Sequence, residues 1–273
     1  MAHIFSVASA KGGTAKTTTS VNLGVALAEQ GLRILLIDND SERHLSNSLG
    51  IPAKNKYTIA SLMSAVLNDM EIDDLLEKSI VEAGRLHCIP SSPALAGMAA
   101  QLTVRQNAAS MFDAPAGVRS EFVLKVITDM VNDRYDYIII DCGRSLDLLT
   151  INALAASSEV IIPVQAHYLP EEGLGSFLET VKKIKMNLNP NLEVGGILLT
   201  MYQGSTNLCR SVQQDIRTRF GETYRVFHQP ISHSIRVAEA PAFKRSIFEH
   251  DPSNPAAQGY REMAREVLAH AQT

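Results

Sequence analysis

Short apolar runs recur along the chain at intervals wide enough to hold a helix between them. "HIFSVAS" (3–9), "RILLID" (33–38), "YDYIIID" (135–141), "EVIIPV" (159–164) and "LEVGGILLT" (192–200) are near-continuous and rich in β-branched residues, the pattern of strands covered on both faces. Behind the first run, "KTTTSVNLGVALAEQ" (16–30) carries apolar residues at helical spacing and stops before Gly31, a natural C′ position. "EFVLKVITDMVND" (121–133) predicts another helix, preceded by a loop over "AASMFDAPAGVRSEF" (108–122), while "LNDMEIDDLLEKSIVE" (67–82) predicts an acidic surface helix. Alternating strands and helices predict an α/β fold, doubly wound around a mostly parallel sheet. No repeat, low-complexity tract or linker divides the chain, so one domain over 1–273 is expected.

The composition changes this picture little. At 273 residues and 45% hydrophobic content, the chain can bury a substantial core. No basic segment leads into an apolar run, and no apolar stretch is long enough for a bilayer. Cys88, Cys142 and Cys209 lack C-x-x-C spacing, which argues against a disulfide framework or a zinc site. The net charge of −4 excludes a broadly basic surface, yet residues 201–250 hold seven basic and four acidic residues. Lys182, Lys183 and Lys185 form a second basic cluster on a predicted helix. Such runs are ordinarily solvated faces, so charge alone does not make a nucleic-acid site.

The chemistry concentrates in "SVASAKGGTAKTTTSVNLG". A Walker A loop reads G-x-x-x-x-G-K-[ST], but the register ending at Lys16-Thr17 puts Ala10 and Ala15 where the glycines belong. The segment nonetheless lies between a buried strand and a helix, the setting a phosphate loop requires. Gly12 and Gly13 can turn successive amides toward one anion, Lys16 brings charge to the β- and γ-phosphates, and Thr17 offers a hydroxyl to magnesium.

With Lys11 included, the pattern K-G-G-x-x-K-[ST] resembles the deviant Walker A loop of the ParA/MinD superfamily, P-loop NTPases of the SIMIBI class. The resemblance implies that ATP is held by Lys11, Gly12, Gly13, Thr14, Ala15, Lys16, Thr17 and Thr18, with Lys11 reaching across an ATP-sandwich homodimer. "RILLIDNDSERHLSNSLGI" resembles the second strand and switch I of that family. Asp40 matches the residue that positions or activates the attacking water, and Asp38 one near magnesium; both also fit strand-end carboxylates that cap a turn. The family's Pro-Gln is Ser41-Glu42 here. "YDYIIIDCGRSLDLLTINAL" is similar to the Walker B strand and switch II, which makes Asp141 a holder of magnesium-bound water. Relatives read D-C-P-P-S there, so Gly143-Arg144 departs from the pattern, and Arg144 reads either as a cation beside the γ-phosphate or as a surface arginine.

"PVQAHYLPEEGL", "LNPNLEVGGILLTMY", "STNL" and "IRVAEAPAF" follow the order of the Soj/ParA partition branch. That branch implies an adenine pocket of Met201, Ser232 and His233, although its I-P-R-N-V-R is "ISHSIR" here. It further implies a slow, magnesium-dependent ATPase, cytoplasmic and nucleoid-associated, whose dimer binds DNA without sequence preference and is stimulated by a ParB-like adaptor. Arg210, Arg217, Arg219, Arg236, Lys244 and Arg245 are the DNA-binding candidates, the first three on or beside a helix starting near Thr206. A MinD-like spatial regulator is disfavoured by the weak apolar face of "REMAREVLAHAQT", and no membrane contact is expected. A nitrogenase-iron-protein-like role lacks its cluster cysteines. A non-hydrolysing nucleotide switch stays open through Gly143-Arg144.

Overall fold

In the computed structural model, which describes residues 1–111, 117–166 and 171–271, the apolar runs assemble into one seven-stranded sheet. Its strands are β1 (His3–Val7), β2 (Ile34–Asn39), β3 (Val81–Ala83), β4 (Leu86–Ile89), β5 (Tyr137–Cys142), β6 (Glu159–Gln165) and β7 (Glu193–Thr200). They lie in the order β3-β4-β2-β5-β1-β6-β7, and every pairing is parallel except β3 with β4. All five predicted strands are present. Every residue of β2 and β5 is buried, as expected where helices cover both faces.

Among the described residues the helices are α1 (Lys16–Ala28), α2 (His44–Ser48), α3 (Ile59–Leu67), α4 (Asp73–Ser79), α5 (Ala94–Met111), α6 (Val123–Val131), α7 (Leu148–Ala156), α8 (Glu171–Asn187), α9 (Asn207–Phe220), α10 (Ile235–Glu239), α11 (Ile247–His250) and α12 (Pro255–His270). Residues of α3, α5, α6, α7, α8 and α9 share one core cluster on one side of the sheet. Residues of α1, α2, α11 and α12 share a second core cluster with the opposite-facing strand residues. The two cores make the sheet doubly wound, with Tyr260 of α12 fully buried against α1 and its hydroxyl 3.4 Å from Thr19 Oγ1.

Two expectations need correction. The acidic helix predicted over 67–82 is shorter: Leu67 ends α3, α4 covers Asp73–Ser79, and Val81 and Glu82 already belong to β3. The loop predicted over 108–122 begins inside α5, which runs to Met111; its residues 112–116 lie outside the described residues, as do 167–170 of "PVQAHYLPEEGL".

The sheet's two margins differ. At one margin the chain between α9 and α10 lies along β7: Ile197 N–H donates to Arg225 O, Phe227 N–H to Ile197 O and Ile231 N–H to Leu199 O. At the other, β3 is three residues long and its central Glu82 is exposed. The C-terminal ends of β1, β2 and β5 are contiguous, and such a strand-end crevice is where doubly wound sheets receive ligands.

Candidate functional site

The loop from β1 to α1 builds one wall of that crevice. Gly13 takes a left-handed φ of 75° and Ala15 one of 66°, so the chain curls around Lys16 before α1 begins. Among the described residues no side chain caps the start of α1 at Ala15, which leaves its first amides facing outward. Ser9 Oγ lies 2.7 Å from Thr14 Oγ1 and donates to Lys11 O at 3.1 Å, bracing the loop from inside. Thr200 at the end of β7 donates to Thr14 O at 3.1 Å. Lys16 Nζ donates to Lys11 O at 3.1 Å; its burial depresses the ammonium pKa, against the opposing pull of Asp141.

Asp141 is the penultimate residue of β5, beneath the loop. Its two carboxylate oxygens accept hydrogen bonds from Thr17 Oγ1 at 2.7 Å and Ser20 Oγ at 2.8 Å. Asp38 stands opposite Asp141 in the β2–β5 register. It accepts from the Ser46 N–H at 2.8 Å and the Ser46 hydroxyl at 2.5 Å, and from the Asp40 N–H at 3.2 Å. Burial raises the Asp141 carboxyl to about 7, and the neighbouring Asp38 adds to the rise. Burial likewise raises Asp38 to about 6, despite the Ser46 bonds. Two buried carboxylates this reluctant to ionise, one already bonded to a threonine hydroxyl, form a donor set suited to a hard divalent cation.

Asp40 faces a cavity of about 300 Å³ lined also by Gly13, Ala15, Lys16, Thr17, Thr18, His44, Cys142, Gly143 and Arg144. Its carboxylate accepts from Glu42 N–H at 3.0 Å and lies 2.6 Å from His44 Nδ1. Lys11 runs along the start of α8, where a side chain at Gly173 would meet its Cε at 3.1 Å. Met201, with a left-handed φ of 52°, directly precedes Tyr202, which bridges to Ser232, and His233 N–H donates to Tyr202 O at 2.9 Å. The three predicted base-pocket residues are thus neighbours beside the strand that touches the loop.

The basic residues fall on separate elements. Thr206 caps α9 through its hydroxyl, as the predicted helix start requires. Arg210 and Arg217 line one shallow depression on α9, and Arg217 also donates to Phe227 O and His228 O at 3.1 and 2.8 Å. Arg219 is exposed near the end of α9. Arg236 on α10 pairs with Glu239 at 3.3 Å. Lys244 folds its stem over Gly50 beside α2, and Arg245 next to it is exposed.

Sequence reasoning missed Ser20, Ser46, His44 and Arg43. Ser20 lies one turn after Lys16 on α1, a spacing that puts the pair on one side of the helix, whereas Asp40 precedes α2 and meets His44 across the turn at Arg43. Arg43 carried no such signal: its buried guanidinium donates to Ser91 O at 2.9 Å and Ile51 O at 3.1 Å.

Residues 2–194 match a protein family described as an AAA domain. The chain is 37% identical over 270 residues to the sporulation initiation inhibitor protein Soj of Bacillus subtilis, covering 98% of this chain and 99% of that one. It is 35% identical to the chromosome-partitioning ATPase Soj of Thermus thermophilus, covering 97% and 95%. Among solved structures, a Mycobacterium smegmatis protein described as cobyrinic acid a,c-diamide synthase, with bound ADP and magnesium, is similar with a TM-score of 0.81 at 30% identity, covering 100% of this chain and 96% of that one.

Proposed function

This chain belongs to the AAA-domain family of the Soj and ParA chromosome-partitioning ATPases, and we propose that it is itself a DNA-partition ATPase that dimerises around ATP. The observation that carries this reading is the open start of α1, with Lys16 and Thr17 lining a cavity together with Asp40. A helix start with free amides and a lysine suits a polyphosphate. The ADP bound to a 30% identical protein of the same fold supports a nucleotide as the ligand. The relative named for chromosome partitioning is 35% identical, against 30% for the one described as cobyrinic acid a,c-diamide synthase.

In this reading Lys16 and the first amides of α1 bind the β- and γ-phosphates, and Met201, Ser232 and His233 hold the base. Thr17, Asp141 and Asp38 would hold magnesium, which when bound offsets phosphate charge. Asp40, restrained by His44 and the Glu42 amide, accepts a hydrogen bond from the attacking water and orients it. Lys11 supplies a cation to the partner's nucleotide, so assembly needs two facing ATP molecules. The dimer then doubles the basic contacts available to DNA, and a ParB-like adaptor stimulates hydrolysis and release. Membrane anchoring through the last helix is disfavoured because Tyr260, Met263 and Val267, the apolar face of α12, are buried in the fold.

Sedimentation and duplex retention, each with ATP and with ADP, test the reading. A dimer with ATP that retains unrelated duplexes equally, with affinity falling steeply as salt rises, is expected. Arg236→Glu should weaken retention of every duplex alike while the dimer persists. Equal retention with ADP, or none with ATP at low salt, removes DNA from the mechanism.

A further inference from the structure

Four side chains join the segment after β5 to the segment after β2 at the rim of the phosphate cavity. Arg144 Nη2 donates to Glu42 Oε2 in an ion pair. The same Glu42 oxygen lies 3.4 Å from His44 Nε2, and the other ring nitrogen, Nδ1, lies 2.6 Å from Asp40 Oδ2. Arg144, His44 and Asp40 all line the cavity.

One end of this chain of contacts is fixed and the other is not. Arg43 takes a left-handed φ of 60°, and its buried guanidinium is bonded to Ser91 and Ile51 carbonyls. That anchored turn holds Glu42 and His44 on either side of it. Arg144, in contrast, is 62% exposed and its partner Glu42 52%, and ion pairs between groups so exposed are weak. Arg144 is also already stretched over the phosphate loop: a side chain at Gly12 would meet its Cδ at 3.0 Å. A terminal phosphate carries more charge than a carboxylate and offers more oxygens to the planar guanidinium fork.

We propose that Arg144 is a γ-phosphate-sensing cation, held by Glu42 in the nucleotide-free protein and surrendered to the terminal phosphate of ATP. Glu42 is the competing anion, and His44 is the positioning residue that keeps Asp40 aimed into the cavity during the exchange. ADP offers no such phosphate and leaves the Arg144–Glu42 pair intact, so the exchange distinguishes the two nucleotides. The inference rests on the nucleotide-binding reading above.

Binding of a non-hydrolysable ATP analogue and of ADP, each with magnesium, to the full-length wild type, Arg144→Ala, Glu42→Gln and the double variant tests it. Arg144→Ala should weaken the analogue about tenfold, the scale of a lost charge-assisted hydrogen bond, and leave ADP unchanged. Glu42→Gln should tighten the analogue about two- to fivefold, the scale of one exposed ion pair, and that gain should vanish in the double variant. Arg144→Ala protein with the wild-type ratio of the two affinities overturns the proposal, as does a Glu42→Gln gain that survives loss of Arg144. In both cases a wild type that binds both nucleotides leaves the nucleotide-binding reading standing. Wild-type protein that binds neither nucleotide overturns that reading, and this inference with it.

Discussion

Lys11 and Lys16 flank one loop but occupy different surroundings. Lys16 is buried with its ammonium on a loop carbonyl, whereas Lys11 is exposed along the start of α8. Lys16→Ala should therefore weaken nucleotide binding by about 10- to 100-fold, the scale of lost charged hydrogen bonds in a desolvated site. Lys11→Ala should leave nucleotide affinity within a few-fold but abolish the ATP-dependent dimer, which titration and sedimentation together will read. Asp40→Ala should lower turnover roughly 10²-fold while an ATP-bound dimer still forms; unchanged turnover would make Asp40 a turn cap. At this scale the sequence was legible where a motif fixes the spacing, as for Lys16, Thr17 and Asp141. It was silent on Arg43 and Ser46, whose partners Ser91 and Asp38 come from other elements.

The elements show where apolar patterning suffices. β1, β2, β5, β6 and β7 are continuous apolar runs because helices cover both of their faces, and their existence could be read directly. β3 and β4 are only three and four residues long, directly behind an acidic helix, so "VEA" and "LHCI" gave no periodic signal of their own. The start of α1 carries a different cost. Ala15 is left-handed, a conformation that burdens a residue with a Cβ by roughly 1–2 kcal/mol and glycine hardly at all. Ala15→Gly should stabilise the nucleotide-free protein by about 1 kcal/mol, less the greater freedom glycine gains on unfolding. A higher urea midpoint with an unchanged slope is the expected result; a lower midpoint would show that the methyl group packs usefully.

For the molecule as a whole, the raised carboxyls of Asp38 and Asp141 link folding to pH. Their folded values of about 6 and about 7 lie above the ordinary value of 3.8, so between about pH 4 and 7 the folded state binds more protons than the unfolded chain. These groups therefore make stability fall as pH rises through that window and level off above it. Asp141→Asn should raise the melting temperature of the metal-free protein at pH 8 and converge on wild type near pH 4; a constant offset at every pH would rule out the linkage. The occupied margin along β7 and the three-residue β3 bear on a different hazard. The proposed cycle gathers many copies on one stretch of DNA, and crowding of that kind rewards any bare strand that can template its neighbour. Here one margin is taken by the chain itself and the other is three residues long with an exposed Glu82 at its centre, so neither described margin offers a long bare strand to a second copy.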